Sequence, residues 1–250
     1  METALVLEGV EHAYLGRTVV SGVDMRIGAG EITALVGPSG CGKSTVAQIA
    51  SGLIEPSRGR VSRLYRRHGM VFQEPRLLAW ATAHDNIAYP LRLAATARRD
   101  RSRRVAAAAA RVSLEPADLL KYPVELSGGM RQRAAIARAL VVEPDFIYFD
   151  EPFTALDAAL KRRMQDLVIM AAGAARFAAL FITHDLMEAA RIAHRVLVMD
   201  THGRGIAGER RVPGEPGARS DEALYRLTDS WHRDDPLFRH IFDVDERRIP

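Results

Sequence analysis

Nine consecutive residues, Gly37-Pro38-Ser39-Gly40-Cys41-Gly42-Lys43-Ser44-Thr45, set glycines, a lysine and hydroxyls in the spacing GxxxxGK[ST]. Glycines let such a loop wrap so that successive backbone N–H groups face one anion, which the positive end of a following helix dipole also favours. A lysine placed as Lys43 reaches the outer phosphates of a nucleotide, and a hydroxyl placed as Ser44 faces Mg²⁺. A glycine-rich turn with a purely structural role is the alternative. A second element, Phe146-Ile147-Tyr148-Phe149-Asp150-Glu151, ends four apolar or aromatic residues on two acids. A buried strand brings Asp150 to the carboxyl edge of an α/β sheet, where it can hold Mg²⁺ directly or through water, and sets Glu151 to polarise an attacking water. Alone, the same pattern also fits a buried strand that ends in two surface acids. A third element is Leu126-Ser127-Gly128-Gly129-Met130-Arg131-Gln132-Arg133. Ser127 suits a helix N-cap and the two glycines leave amides open to a phosphate, although a plain capping turn would look alike.

These residues need a frame. Short β-type runs at Ala4 to Leu7, Thr18 to Val20 and Val23 to Ile27, separated by glycine turns, predict a small antiparallel sheet. Glu31 to Val36 reads as a strand running into the glycine loop, and Lys43 to Gly52 as the helix after it. Met70 to Phe72 is a further strand, and residues 88–142 turn helical, with Pro90, Pro116 and Pro123 as breakers. Beyond them strands and helices alternate: strand Phe146 to Phe149, helix Ala158 to Ala172, strand Ala178 to Ile182, helix Leu186 to Ile192, strand Arg195 to Met199. Such alternation predicts a mainly parallel sheet with helices on its faces. After Thr201 comes a glycine-, proline- and arginine-rich stretch with one helix, Asp221 to Ser230.

The 250 residues, 48% apolar and 26% charged, are enough for a sizeable core and speak against wholesale disorder. A single cysteine, Cys41, excludes an intrachain disulfide, and no CxxC pair or His/Cys cluster of metal-ligand type occurs. The N-terminus of α-type residues after the loop could lower the thiol pKa of Cys41, which is expected to be a bystander that N-ethylmaleimide attacks and ATP protects. No apolar run reaches the roughly 18 to 20 residues of a membrane span. The nearest, Leu167 to Ile182, contains Arg176, and Met1 to Val10 lacks the basic start of a secretory signal. The chain is therefore expected on the cytoplasmic side, and any membrane it serves must be spanned by another chain. Thirty-five basic and 31 acidic residues give a net charge of +4, with a pI of about 9.5. Only Lys43, Lys121 and Lys161 among the basic residues are lysines, a skew that with abundant alanine suits a coding bias. The clusters Arg63, Arg66, Arg67 and Arg98, Arg99, Arg101, Arg103, Arg104 read as solvated faces or as a surface for a phosphate-rich or acidic partner.

In order and content the three elements resemble the ATP-binding subunits of ABC transporters, from Leu5 to Met199. The resemblance implies an α/β P-loop NTPase (RecA-like) core over residues 1–205, with an N-terminal antiparallel β subdomain, a helical subdomain inserted at about 88–142, and a tail over 206–250. It makes Ser127 to Arg133 the family's signature motif and Tyr14 the aromatic that stacks on adenine. Gln73 becomes the glutamine that senses Mg²⁺ and the attacking water and links the site to the membrane partner. Ala155-Leu156-Asp157 matches the loop that crosses a dimer interface, and His184 the histidine at the γ phosphate. Read in this way, Glu151, His184, Gln73 and Lys43 are catalytic. Tyr14, residues Gly37 to Thr45, Ser127, Gly128 and Gly129 bind ATP, while Ser44, Gln73 and Asp150 hold Mg²⁺.

The resemblance further implies a head-to-tail pair of ATPase subunits, in which Ser127 to Gly129 of one cover the ATP of the other, attached to a separate permease at the cytoplasmic face of the plasma membrane. Val71 to Trp80 and Met130 to Arg133 look most like the importer subgroup for nitrate, taurine and alkanesulfonates, which works with a periplasmic binding protein. The extra C-terminal β domain of the sugar and iron importers is not expected. Two departures stand out: a short, arginine-rich connection between Gly59 and Met70, and alanine in place of larger apolar residues across Val105 to Val112, which predicts weaker packing there. The rivals are an ABC-type ATPase acting on nucleic acid, motivated by the pI, the ATPase of an exporter, and a regulatory subunit without turnover.

Overall fold

The computed structural model describes residues 2–94, 96–154, 156–201 and 204–238. They divide into two compact units, one of residues 1–65 with 178–250 and one of residues 66–177.

In the first unit, β1 (Thr3–Tyr14) pairs antiparallel with β2 (Arg17–Gly28) on one side and β4 (Arg58–Arg63) on the other. Leu5, Leu7, Val10, Val20, Val23, Met25 and Ile27 are buried, the half-apolar alternation that pins register in a sheet with one wet face. Leu15 and Gly16, both at positive φ, close the hairpin as a two-residue loop whose twist matches its strands. The sequence predicts separate short runs here. The strands are instead continuous, because register shifts beside Gly9 and Gly22, at φ 55° and 63°, absorb the breaks as bulges.

A second sheet of the same unit orders β7 (Ala178–Ile182), β3 (Ile32–Val36), β8 (Arg195–Met199) and β9 (Ile206–Arg211). The first three are parallel, and every residue of β3 and β7 is buried, as strands covered on both faces require. Three helices belong to this unit: α1 (Lys43–Ser51), α6 (Leu186–Ile192) and α7 (Asp221–Asp234). Strand β9 falls where the sequence shows only a glycine-, proline- and arginine-rich stretch. Its residues, Ile206-Ala207-Gly208-Glu209-Arg210-Arg211, carry almost no apolar signal, and the antiparallel ladder to β8 makes the strand.

In the second unit β5 (His68–Val71) runs parallel to β6 (Phe146–Asp150), alongside α2 (Ala83–Leu93), α3 (Arg98–Arg111), α4 (Gly128–Leu140) and α5 (Ala158–Ala175). The helical run begins at Ala83 rather than 88, because Thr82 caps it by accepting from the Asp85 amide at 3.2 Å. Pro90 does not break α2. It stands in the last turns, where one amide is lost while buried Ile87 and Leu91 on either side keep the helix packed. In α3 the small residues Val105, Ala108 and Ala109, followed by Val112, form a buried stripe.

Candidate nucleotide site

The glycine loop follows β3 and opens α1 in the first unit. Gly40 and Gly42 stand at φ 78° and 100°, conformations that side chains resist, and a Cβ on Gly42 would come within 3.0 Å of the Val19 carbonyl. Gly37 is glycine for lack of room, since a Cβ there would lie 3.0 Å from Cys41 Sγ and 3.2 Å from Met199 Cβ. No side chain caps the start of α1, so the positive end of the helix faces the glycine loop, a setting that favours an anion. Lys43 is buried and donates through Nζ to the carbonyls of Gly37 at 2.8 Å and Pro38 at 2.9 Å, curling its ammonium over the loop. Pro38 is buried, Ser39, Gly40 and Ser44 are exposed, and Thr45 is half-buried. Cys41 is buried, and that burial pushes its thiol above the ordinary range against the pull of the Lys43 charge. The expectation of a lowered pKa is thus reversed: desolvation outweighs the Lys43 charge and the backbone hydrogen bonds that lower it.

Register gathers other predicted residues at the same sheet edge. Leu35 of β3 pairs with Ile182 of β7, so His184 leaves β7 two residues past that pair, as Gly37 leaves β3. His184 is exposed on a turn that its neighbours fix. The Thr183 hydroxyl donates to buried Glu188 and accepts from the Asp185 amide at 3.1 Å, while Asp185 caps α6 by accepting from the Glu188 amide at 3.1 Å. Sequence reasoning passed over these three, although Asp185 followed by Glu188 is a capping pattern. Tyr14, at the hairpin end, is 45% exposed, and its ring makes a T-shaped contact with His12 at 4.6 Å between centroids.

In the second unit Val71 of β5 pairs with Phe149 of β6, which puts Gln73 and Glu151 each two residues beyond one matched pair. Asp150 is buried at the strand end and Gln73 is exposed. Glu151 holds a left-handed φ of 44°, uncommon for a non-glycine residue, and Thr154 donates to its carbonyl at 3.1 Å. Ser127 caps α4 by accepting from the Met130 amide at 3.3 Å. The two glycines after it differ: a Cβ on Gly129 would collide with Leu160 of α5, whereas one on Gly128 meets nothing closer than 3.9 Å. Asp157 caps α5 through the Leu160 amide at 2.9 Å, and Ala155 lies outside the described residues.

The donor set fits a nucleotide with its metal. A glycine loop at an uncapped helix start with a buried ammonium suits phosphates. Among the described residues no group of three or more His, Cys, Asp or Glu side chains could cage an ion. A magnesium ion that shares phosphate oxygens needs only one or two protein ligands, so no such cage is required.

Comparison with known proteins agrees. Residues 20–154 match the family described as ABC transporter. The chain is 43% identical over 221 residues to "Aliphatic sulfonates import ATP-binding protein SsuB 1" of Pseudomonas syringae pv. syringae, covering 87% of this chain and 90% of that one. It is 37% identical over 218 residues to "Aliphatic sulfonates import ATP-binding protein SsuB" of Corynebacterium glutamicum, covering 85% and 89%. Among solved structures it is similar, with a TM-score of 0.76 and 27% identity, to the "Dimeric structure of a post-hydrolysis state of the ATP-binding cassette MJ0796 bound to ADP and Pi", over 84% of this chain and 99% of that one. Glycine loop, carboxylate strand, capped signature turn and relatives all lead to one assignment: the chain belongs to the ABC transporter family and is one of its ATPases.

Proposed function

We propose that this ATPase drives import of an organic sulfonate through a separate permease, working as a head-to-tail pair on the cytoplasmic face of the membrane. A periplasmic binding protein would deliver the cargo. The observation that carries the ATPase part is the glycine loop, whose steric demands at Gly37 and Gly42 and buried Lys43 ammonium answer to phosphate binding. The cargo class rests on the relatives named for aliphatic sulfonates.

In this reading the cassette spans residues 1–205, with its helical subdomain at about 88–142 and a tail over 206–250. Tyr14 stacks on adenine, and the loop Gly37-Pro38-Ser39-Gly40-Cys41-Gly42 wraps the phosphates with its amides. Lys43 exchanges its two loop carbonyls for phosphate oxygens, and Ser44 and Thr45 complete the cradle. Ser44, Asp150 and Gln73 hold Mg²⁺, which when bound neutralises charge on the phosphates. Glu151 accepts the proton of the attacking water, Gln73 orients that water, and His184 donates to the γ phosphate as negative charge builds on it. Ser127, Gly128 and Gly129 serve the ATP of the second subunit. The open space over Gly128 supports that assignment, because none of the described residues accounts for a glycine there.

Titration with a fluorescent ATP analogue tests the phosphate site: Lys43→Ala should weaken binding by roughly 100-fold, and unchanged affinity would refute the role given to Lys43. Pull-down of the tagged chain from membranes tests the rest. Co-purification of a polytopic permease supports transport, whereas salt-sensitive retention of nucleic acid would support the rival reading.

A further inference from the structure

The segment carrying Gln73 is tied on both sides by side chains that no catalytic role explains. Gln132 of α4 donates to the Phe72 carbonyl at 3.4 Å, one residue before Gln73. Arg138, two turns further along α4, donates through Nη1 to the Arg76 carbonyl and through Nη2 to the Pro75 carbonyl, both at 2.8 Å. Arg76 stands at a left-handed φ of 44° and lays its guanidinium over the Phe72 ring at 4.1 Å, closing the segment on itself. Farther on, fully buried Asn86 of α2 accepts from the Leu78 amide at 2.7 Å and donates to the carbonyls of Leu78, Ala81 and Thr82 at 3.1, 3.0 and 3.0 Å. Gln73 and Glu74 thus bridge two points fastened to the helix that Ser127 caps.

We infer that Arg138 is a positioning residue for Gln73: its two-pronged grip on Pro75 and Arg76 makes the Gln73 segment and α4 one rigid piece. A shift at Gln73 must then carry the Ser127–Gly129 turn with it, and a shift of that turn must carry Gln73. Arginine suits the place because two parallel donors on a planar fork fix direction as well as distance, which a lysine ammonium cannot do. Burial lowers the pKa of Arg138, consistent with a guanidinium spent on backbone carbonyls rather than on solvent. The inference rests on the role proposed above for Gln73.

A double-mutant cycle on the full-length ATPase tests it, with kcat and KM for ATP read alongside melting temperature. Arg138→Lys should melt near the parent, keep KM, and lower kcat by about ten-fold, since a displacement of about 1 Å at a positioned group costs up to that order or more. Gln73→Ala alone should also lower kcat, and adding Arg138→Lys to it should cost nothing further, because the arginine acts through the glutamine. Full additivity of the two losses, or a fall in melting temperature with kcat unchanged, would overturn the inference and leave Arg138 a structural residue. Parental kcat in Gln73→Ala would overturn the role of Gln73 and this inference together.

Discussion

At the scale of single residues the paired glycines of the signature turn separate folding from function. Gly129 has a neighbour inside its own chain, because a side chain there would meet Leu160 Cδ2 and push the end of that half-buried side chain aside. Gly129→Ala should therefore cost no more than about 1 kcal/mol in a urea titration, the shift asked of Leu160 being offset in part by the gain in helix propensity. Gly128 has no such neighbour, so Gly128→Ala should hold or slightly gain stability and yet lose turnover by at least about ten-fold, through what approaches it from outside. Parental turnover in that variant would mean the turn serves no partner. Cys41 gives a pH prediction. With its thiol pushed up by burial, the reactive thiolate is scarce at neutral pH and grows as pH rises. Alkylation by N-ethylmaleimide should be slow at pH 7 compared with an exposed thiol and should still be accelerating above about pH 8.5. A rate already at its plateau at pH 7 would show that the helix terminus prevails after all.

At the scale of elements, what was legible in the sequence was local. Strands β3 and β7 read as largely apolar runs because both faces are covered, and Ser127 reads as a cap because a cap is decided within three residues. Strand β9 was not legible, since its ladder with β8 lies outside its own composition. Neither was the passage of α2 through Pro90, which depends on what Ile87 and Leu91 bury against. Arg63 is the clearest case. In the sequence it joins a basic cluster that suggests a solvated face. In the fold its Nε and Nη2 donate to the carbonyls of Ala50 and Ile49, both at 2.7 Å, and so cap the C-terminus of α1. That helix begins at the glycine loop, so the cap braces the far end of the element that presents Lys43. Arg63→Ala should lower stability by about 1 to 3 kcal/mol in chemical denaturation, with a smaller loss in Arg63→Lys. No change would mean that water replaces the guanidinium without penalty.

At the scale of the molecule the same use of arginine recurs and gives the high pI a structural reading. Arg131 donates to the Leu126 carbonyl at 2.7 Å, Arg133 to that of Ser113 at 2.5 Å, and Arg219 to those of Ala190 and Ala193 at 2.6 and 2.9 Å, at the end of α6. Arg195 is spent on Glu31, Glu209 and the Arg26 carbonyl; although burial alone would lower its pKa, the two carboxylates raise it. These arginines thus work within the fold, holding backbone carbonyls and carboxylates. Among the described residues no helix is long and apolar enough to cross a membrane. In the function proposed above, Glu151, held in its left-handed backbone beside Asp150, activates water for ATP hydrolysis by a pair of these chains. Light scattering of purified Glu151→Gln with and without MgATP, run beside a phosphate-release assay, tests it most directly. The predicted result is an ATP-dependent dimer that binds nucleotide and releases almost no phosphate; a variant that stays monomeric and hydrolyses ATP at the parental rate would contradict it.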